Sequence, residues 1–247
     1  MIESATFQHM SDYASLNQND RVLDAGAGLG FLTRFLAKSC RTVLAVEFDS
    51  KLIEALREQF QGAPNVIIIK GDVLRAPVPE FNKVISIPPY RISSRLLLWL
   101  LSKDFECAVL IFQKEFANRL AAPIGSENYG WLAVLAYYHV EVDLLDAIPK
   151  SFFVPPPEVD SIIVRLKPRS MPPFRLKNEA RFRQITQSLF TQRNRKVRNA
   201  ILPFMKGILA MKEEDASKLT DTLPFPDKRV RELAPEDFGS LANALSD

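Results

Sequence analysis

The sequence predicts an α/β fold: a mostly parallel sheet of seven strands with helices on both faces, followed by a small C-terminal helical domain. Three observations predict it. Short β-rich runs alternate with amphipathic helical patterns through the first two thirds of the chain, which implies parallel strands joined by helical crossovers. Two later strand-like runs follow each other without a helix-length insertion and suit an antiparallel hairpin at one edge. After residue 168 no strand-like run remains, and polar-capped helical patterns take over.

The elements come in order. RVLDA precedes FLTRFLAKS, TVLAVE precedes SKLIEALREQF, and NVIIIK stands alone; KVISI precedes SSRLLLWLLSK, and CAVLIFQ precedes KEFANRLAA. YYHVEVDLLDAI and SIIVRLK supply the final strand pair. The apolar pattern then lapses in KPRSMPPFRLKN, a Pro-rich and charged linker. ARFRQITQSLFTQRNRKVRNAILPFMKGILA, EEDASKLTDTL and PEDFGSLANAL read as helices. The expected division is residues 1–168 for a cofactor-binding catalytic domain and 169–247 for a helical one.

A length of 247 residues with 47% hydrophobic composition suffices for two such cores. The N-terminus carries no basic segment followed by an apolar one, and no apolar run approaches the roughly 18 residues that span a bilayer. The reading is a cytoplasmic protein that needs no membrane. Cys40 and Cys107 sit beside or within apolar runs at no paired spacing, so neither a disulfide framework nor a zinc site is expected, and with two histidines no catalytic metal is expected. Residues 161–200 hold eleven Lys or Arg against the single acid Glu179, so this window carries +10 of a net +3 and the rest of the chain −7. Such asymmetry suits a polyanionic partner such as nucleic acid, or else a solvated helix face.

Asp24-Ala25-Gly26-Ala27-Gly28-Leu29-Gly30 follows the first strand and opens the first helix. Its spacing is G-x-G-x-G, whereas a dinucleotide-binding turn would want its third glycine where Phe31 stands. Glu47 ends the second strand, where a carboxylate can accept hydrogen bonds from ribose hydroxyls, and Gly71-Asp72 ends the third, where one can accept from an adenine amine. A glycine loop and two acids on successive strand ends describe a nucleoside pocket without a pyrophosphate clamp, which fits S-adenosylmethionine better than NAD. Taken singly, Glu47 or Asp72 reads better as a surface or capping carboxylate.

The fourth strand ends in VISIPPYRIS, and prolines cannot donate to a ladder, so Ile87-Pro88-Pro89-Tyr90 must leave the sheet beside the pocket. Carbonyls there can accept from a substrate amine, and Tyr90 can stack on a base. Methyl transfer onto a positioned amine needs this kind of placement and exclusion of water. Phe153, in FFVPPP, can sandwich the base against Tyr90; Phe152 and Phe153 can also be core, which suits Phe152 better. A plain strand-ending turn is the alternative for the proline segment.

The motifs DAGAGLGFLT, VEFD, GDVL, PYRISS, FQKEFANRLAA with ENYG, FFVPPPEVDS and FTQRNRKVRNAI together resemble the ribosomal RNA adenine N6-dimethyltransferases of the KsgA type, across nearly the whole chain. That resemblance implies a Rossmann-like class I methyltransferase fold. It implies S-adenosylmethionine bound by Gly26, Gly28, Glu47, Asp72 and the backbone of Ile87, and an adenine held by Ile87, Pro88, Tyr90 and Phe153. It further implies RNA phosphates gripped by Arg193, Arg195, Lys196 and Arg198, contacts that give affinity rather than sequence choice. The implied partner is the small ribosomal subunit and its rRNA, met by a monomer. Three departures stand out: Ile87 replaces the family's asparagine, Trp131 replaces an arginine after Tyr-Gly, and the family's Gln-x-Phe-Leu segment has only Phe7-Gln8-His9 as a counterpart. The last leaves either an earlier start or a more open cofactor site.

Three function classes follow: an rRNA methyltransferase, a ribosome-assembly factor that binds rRNA without chemistry, and an N6-adenine DNA methyltransferase of the (N/D/S)-P-P-(Y/F) type. The C-terminal motifs disfavour the last.

Overall fold

The computed structural model describes residues 4–153 and 157–246. Two compact units emerge: one runs to Asn118 and includes Val140–Pro168, and the other comprises Arg119–His139 and the chain from Arg169 onward. The second unit resumes at Arg169. Residues 119–139, expected with the first unit, belong with the helical one, because α6 (Trp131–His139) buries Leu132, Ala133, Val134, Leu135, Ala136 and Tyr138 and finds its partners there.

The first unit is built on one seven-stranded sheet in the order β3-β2-β1-β4-β5-β7-β6. Strands β1 (Arg21–Ala25), β2 (Thr42–Glu47), β3 (Val66–Lys70), β4 (Lys83–Ser86) and β5 (Cys107–Gln113) are parallel. β6 (Val140–Ile148) and β7 (Ser161–Pro168) form the expected antiparallel pair, with β7 inserted against β5 and a bulge between Leu144 and Ala147. The run YYH, read as strand, is instead the end of α6; its alternation with the following Val-Glu-Val-Asp mimics a strand.

Helices α2 (Phe31–Leu36), α3 (Ser50–Gln59), α4 (Ser93–Leu100) and α5 (Lys114–Leu120) follow β1, β2, β4 and β5. Helix α1 (Ser4–Tyr13) was not legible as a helix; it seats Phe7 and Met10 in a cluster with Leu36, Val43, Ile85, Val109, Ile111 and Ile163. Gln8, beside Phe7, is exposed and donates to Asp12, so Phe7-Gln8-His9 forms a turn of α1. Crossovers run in opposite directions from β1, toward β2 and toward β4, so a crevice opens at the carboxyl ends of these strands. Ser86 Oγ clamps that opening: it accepts from Ala25 N–H at 3.0 Å and donates to Ala25 C=O at 2.8 Å. At the opposite end of the sheet the buried Lys83 ammonium meets Asp20 at 2.8 Å and the Ser15 carbonyl at 2.6 Å.

The second unit packs α6 with α7 (Glu179–Phe190), α8 (Val197–Ala200), α9 (Leu202–Gly207), α10 (Glu213–Thr220) and α11 (Pro235–Ala244). Phe182, Phe204, Phe238 and the buried Tyr129 fill its core.

Candidate active site

The carboxyl ends of β1, β2 and β3 and the turn after β4 enclose a cleft of about 440 Å³ lined by Gly26, Glu47, Phe48, Asp72, Pro89 and Arg91, among others. Gly26, Gly28 and Gly30 all have positive φ, at 85°, 58° and 77°. A Cβ on Gly26 would lie 2.7 Å from Pro89 Cδ, so only glycine lets the loop pass beneath the proline turn. The Gly26 and Ala27 amides both donate to the Val46 carbonyl, folding the loop back over β2.

Glu47 is 9% exposed and its carboxylate is set by three backbone amides. Oε2 accepts from Gly28 N–H at 2.9 Å, and Oε1 accepts from Phe48 and Asp49 N–H at 2.7 and 2.9 Å. Gly28 thus braces Glu47 and is not itself among the residues that line the cleft. Gly71, at φ 149°, donates to the Glu47 carbonyl, and Asp72 Oδ1 accepts from Leu74 N–H at 3.1 Å, so both acids are held before a ligand arrives. Beneath the loop, Asp24 is 1% exposed and accepts from Thr33 Oγ1 at 2.7 Å. Burial, reinforced by the neighbouring Glu47 charge and opposed by the hydrogen bond from Thr33, pushes its carboxyl up to about 7.

Past β4 the chain turns sharply. The Pro89 carbonyl accepts from Ile92 N–H, while those of Ile87 and Pro88 accept from no described backbone amide outside the strand ladders. The Ile87 side chain packs against the apolar cluster that holds Met10, Ile85 and Ile111, and so do Phe152 and Phe153. Tyr90 is fixed at its far end, with its hydroxyl 2.7 Å from the buried Ser161 Oγ on β7; burial raises its phenol above the usual range. Phe153 closes a short 3-10 turn, Lys150–Phe152, whose first amide donates to Asp160 Oδ1 at 3.0 Å. The rest of the proline loop, 154–156, lies outside the described residues. Ile87, Pro88, Tyr90 and Phe153 do not line the 440 Å³ cleft itself; Pro89 joins the two regions.

In the second unit the basic motif has internal work. Arg193 donates to the carbonyls of Glu127 and Ser126 at 2.6 and 2.8 Å, so the QRNRKVRN and ENYG segments bind each other. Lys196 and Arg198 share Asp227, at 3.0 and 2.7 Å, and Arg198 also reaches Asp221. Among the described residues, Arg195 of the four makes no side-chain hydrogen bond or ion pair, and it is exposed. Sequence reasoning placed Pro89 beside the pocket but missed Phe48, Ser161, Arg91 and Arg95. Only Arg91 and Arg95 left a signal, two arginines four apart directly after the Pro-Pro-Tyr turn.

A family model described as ribosomal RNA adenine dimethylase matches residues 2–246. A probable ribosomal RNA small subunit methyltransferase A of Methanosarcina acetivorans is 40% identical over 236 residues, covering 95% of this chain and 86% of that protein. The similarly named protein of Thermococcus kodakarensis is 39% identical over 235 residues, 94% of this chain and 82% of its own. Among solved structures, a dimethyladenosine transferase from Plasmodium falciparum superimposes with a TM-score of 0.83 at 26% identity, covering 98% of this chain and 95% of its own. The 23S rRNA methyltransferase ErmE gives 0.69 at 26% identity, with 99% and 98% covered.

Proposed function

The chain belongs to the ribosomal RNA adenine dimethylase family, and from that premise we propose that it methylates N6 of adjacent adenosines near the 3′ end of small-subunit rRNA. Membership makes it an rRNA adenine methyltransferase; the target position, the use of S-adenosylmethionine and a role in ribosome biogenesis are the finer reading. One observation carries it: Pro89, of the strand-end turn that should hold the target amine, stands in the wall of the cleft that Gly26, Glu47 and Asp72 line.

S-adenosylmethionine supplies an activated methyl group when bound. The donor set fits it: two backbone-held carboxylates for ribose hydroxyls and an adenine amine, a glycine loop with no side chain in the way, and a cleft of suitable volume. Glu47 would accept from the ribose, and Asp72 from the adenine amine. On the substrate side, the carbonyls of Ile87 and Pro88 would accept the N6 hydrogens and hold the nitrogen lone pair toward the methyl group. Tyr90, held by Ser161, would present its ring as a fixed platform, with Phe153 on the other side of the base. Bringing a base there requires taking it out of its stack, which costs a few kcal/mol and least in irregular RNA.

In the second unit, Arg195 would contact RNA phosphates directly, and Lys196 and Arg198 would do so by exchanging Asp227 for phosphate. Arg193 would shape that surface by bracing the loop at 126–127. No helix of the described residues is long and apolar enough to cross a membrane. A cytoplasmic monomer acting on the small subunit is the reading we favour.

The test is incorporation of labelled methyl from S-adenosylmethionine into small ribosomal subunits that lack the modification. Label in N6-methylated adenosines of the 3′-terminal region is the expected result. A cofactor-binding preparation that binds subunits but transfers nothing would leave the assembly-factor reading in its place.

A further inference from the structure

Directly after Tyr90 the chain carries two arginines one helical turn apart, Arg91 in the 3-10 turn Tyr90–Ile92 and Arg95 in the first half of α4. Both are exposed, and both line the cleft that Glu47, Asp49 and Asp72 also line. Guanidinium groups that share a cleft with three carboxylates would ordinarily fold onto them. Here neither does: among the described residues Arg91 and Arg95 make no ion pair and no side-chain hydrogen bond. The acids are held by backbone amides instead. Glu47 holds three backbone amides, Asp49 accepts from Lys51 N–H as the cap of α3, and Asp72 accepts from Leu74 N–H. Two uncompensated positive charges therefore stand at the mouth of a site whose interior is acidic.

They follow the Pro-Pro-Tyr turn directly in the chain and share the cleft wall with Pro89, so an anion that meets them lies at the edge of that turn. Residues four apart on a helical surface are neighbours, and a planar guanidinium fork suits bidentate contact with phosphate. We propose that Arg91 and Arg95 form a phosphate clamp that holds the RNA backbone beside the target adenosine. The clamp rests on the rRNA methyltransferase reading given above, and it adds to the catalytic unit an RNA contact separate from the basic segment of the helical unit. Its consequence is positional: a backbone fixed next to Tyr90 leaves the extruded base little freedom except to enter the pocket.

The experiment compares the full chain with R91Q/R95Q and R91K/R95K. Affinity for an RNA carrying the 3′-terminal region of small-subunit rRNA is measured over a salt series, and S-adenosylhomocysteine binding is measured by calorimetry. The glutamine pair should bind the RNA about tenfold more weakly per arginine lost at low salt. Its log-affinity against log-salt slope should fall by about 1.4, from two lost single-strand phosphate contacts. S-adenosylhomocysteine affinity should stay within twofold of wild type. The lysine pair should recover most of the salt slope but only part of the affinity, since it keeps the charges and loses the forks. An unchanged slope in the glutamine pair overturns the clamp. Lost cofactor affinity with intact RNA binding also overturns it, by assigning the pair to the cofactor. Because RNA binding is read without turnover, a wild-type protein that binds RNA but transfers no methyl would remove the proposed reaction, and the slope comparison would still decide the clamp.

Discussion

Glu47 offers the most direct perturbation of the cofactor site. In Glu47→Gln one carboxylate oxygen becomes an NH₂ group. Keeping the amide oxygen toward Phe48 and Asp49 preserves two bonds and turns the NH₂ on the Gly28 amide, so two donors face each other. An unsatisfied buried donor costs about 1–3 kcal/mol, which for a chain of this size lowers Tm by roughly 2–10 °C. The same exchange removes one charged acceptor for a ribose hydroxyl, worth about 1.5–3 kcal/mol, or about a 10- to 100-fold loss of affinity. Calorimetry with S-adenosylhomocysteine reads the second effect, and thermal unfolding the first. A variant with the lower Tm but an affinity within twofold of wild type would refute the assignment, leaving Glu47 as a brace for the glycine loop and nothing more.

Other outcomes follow from the same geometry. Ile87→Asn supplies a side-chain acceptor where backbone carbonyls otherwise act alone. It should raise the ratio of dimethylated to monomethylated adenosine in nucleoside mass spectra, and should lower stability by about 1–2 kcal/mol because Ile87 packs on the apolar cluster; an unchanged ratio would contradict the role given to this position. Lys83→Met removes one member of a buried pair whose side chains are 6% and 3% exposed, and should cost about 3–5 kcal/mol, lowering Tm by roughly 10 °C. Burial opposes ionisation of Asp20, but hydrogen bonds from Lys83, Asn82 and the Asn17 amide outweigh it and hold its carboxyl below the usual range. The stability Asp20 contributes is therefore present above pH about 4 and lost on further acidification, and an acid unfolding curve of Lys83→Met should show less of that loss. Asp24 has the opposite sign: with its carboxyl raised to about 7, the folded state favours the protonated form. Its contribution is full below pH about 4 and declines as pH rises to about 7. Asp24→Asn should lose less stability than wild type between pH 5 and 8, and parallel curves would show that Asp24 does not titrate there.

Most of the sheet was legible because parallel strands buried on both faces read as short continuous apolar runs, as in TVLAVE and CAVLIFQ. Helix α6 was not, for the complementary reason. WLAVLAYYH is apolar on nearly every side, so it lacks the one-sided stripe that marks a surface helix, and its last three residues blend into the alternation of β6. The site was half legible. Gly26, Glu47 and Asp72 stand at strand ends, and strand order alone brings strand ends together. The basic cluster was legible as charge but not as partners: Arg193 donates to backbone carbonyls, and Asp227 pairs with Lys196 and Arg198. Arg91 and Arg95 carry the reverse lesson, a pair outside the basic window whose lack of partners only the folded cleft reveals.

The central claim is that the turn Ile87 to Tyr90 presents adenine N6 to a methyl donor held by Gly26, Glu47 and Asp72. It is tested most directly by digesting small-subunit rRNA after reaction with labelled S-adenosylmethionine and identifying the labelled nucleoside. Label confined to N6-methyl- and N6,N6-dimethyladenosine from the 3′-terminal region, and lost on Glu47→Ala or Tyr90→Ala, is the predicted result. Label in any other nucleoside, or transfer undiminished in both variants, would contradict it.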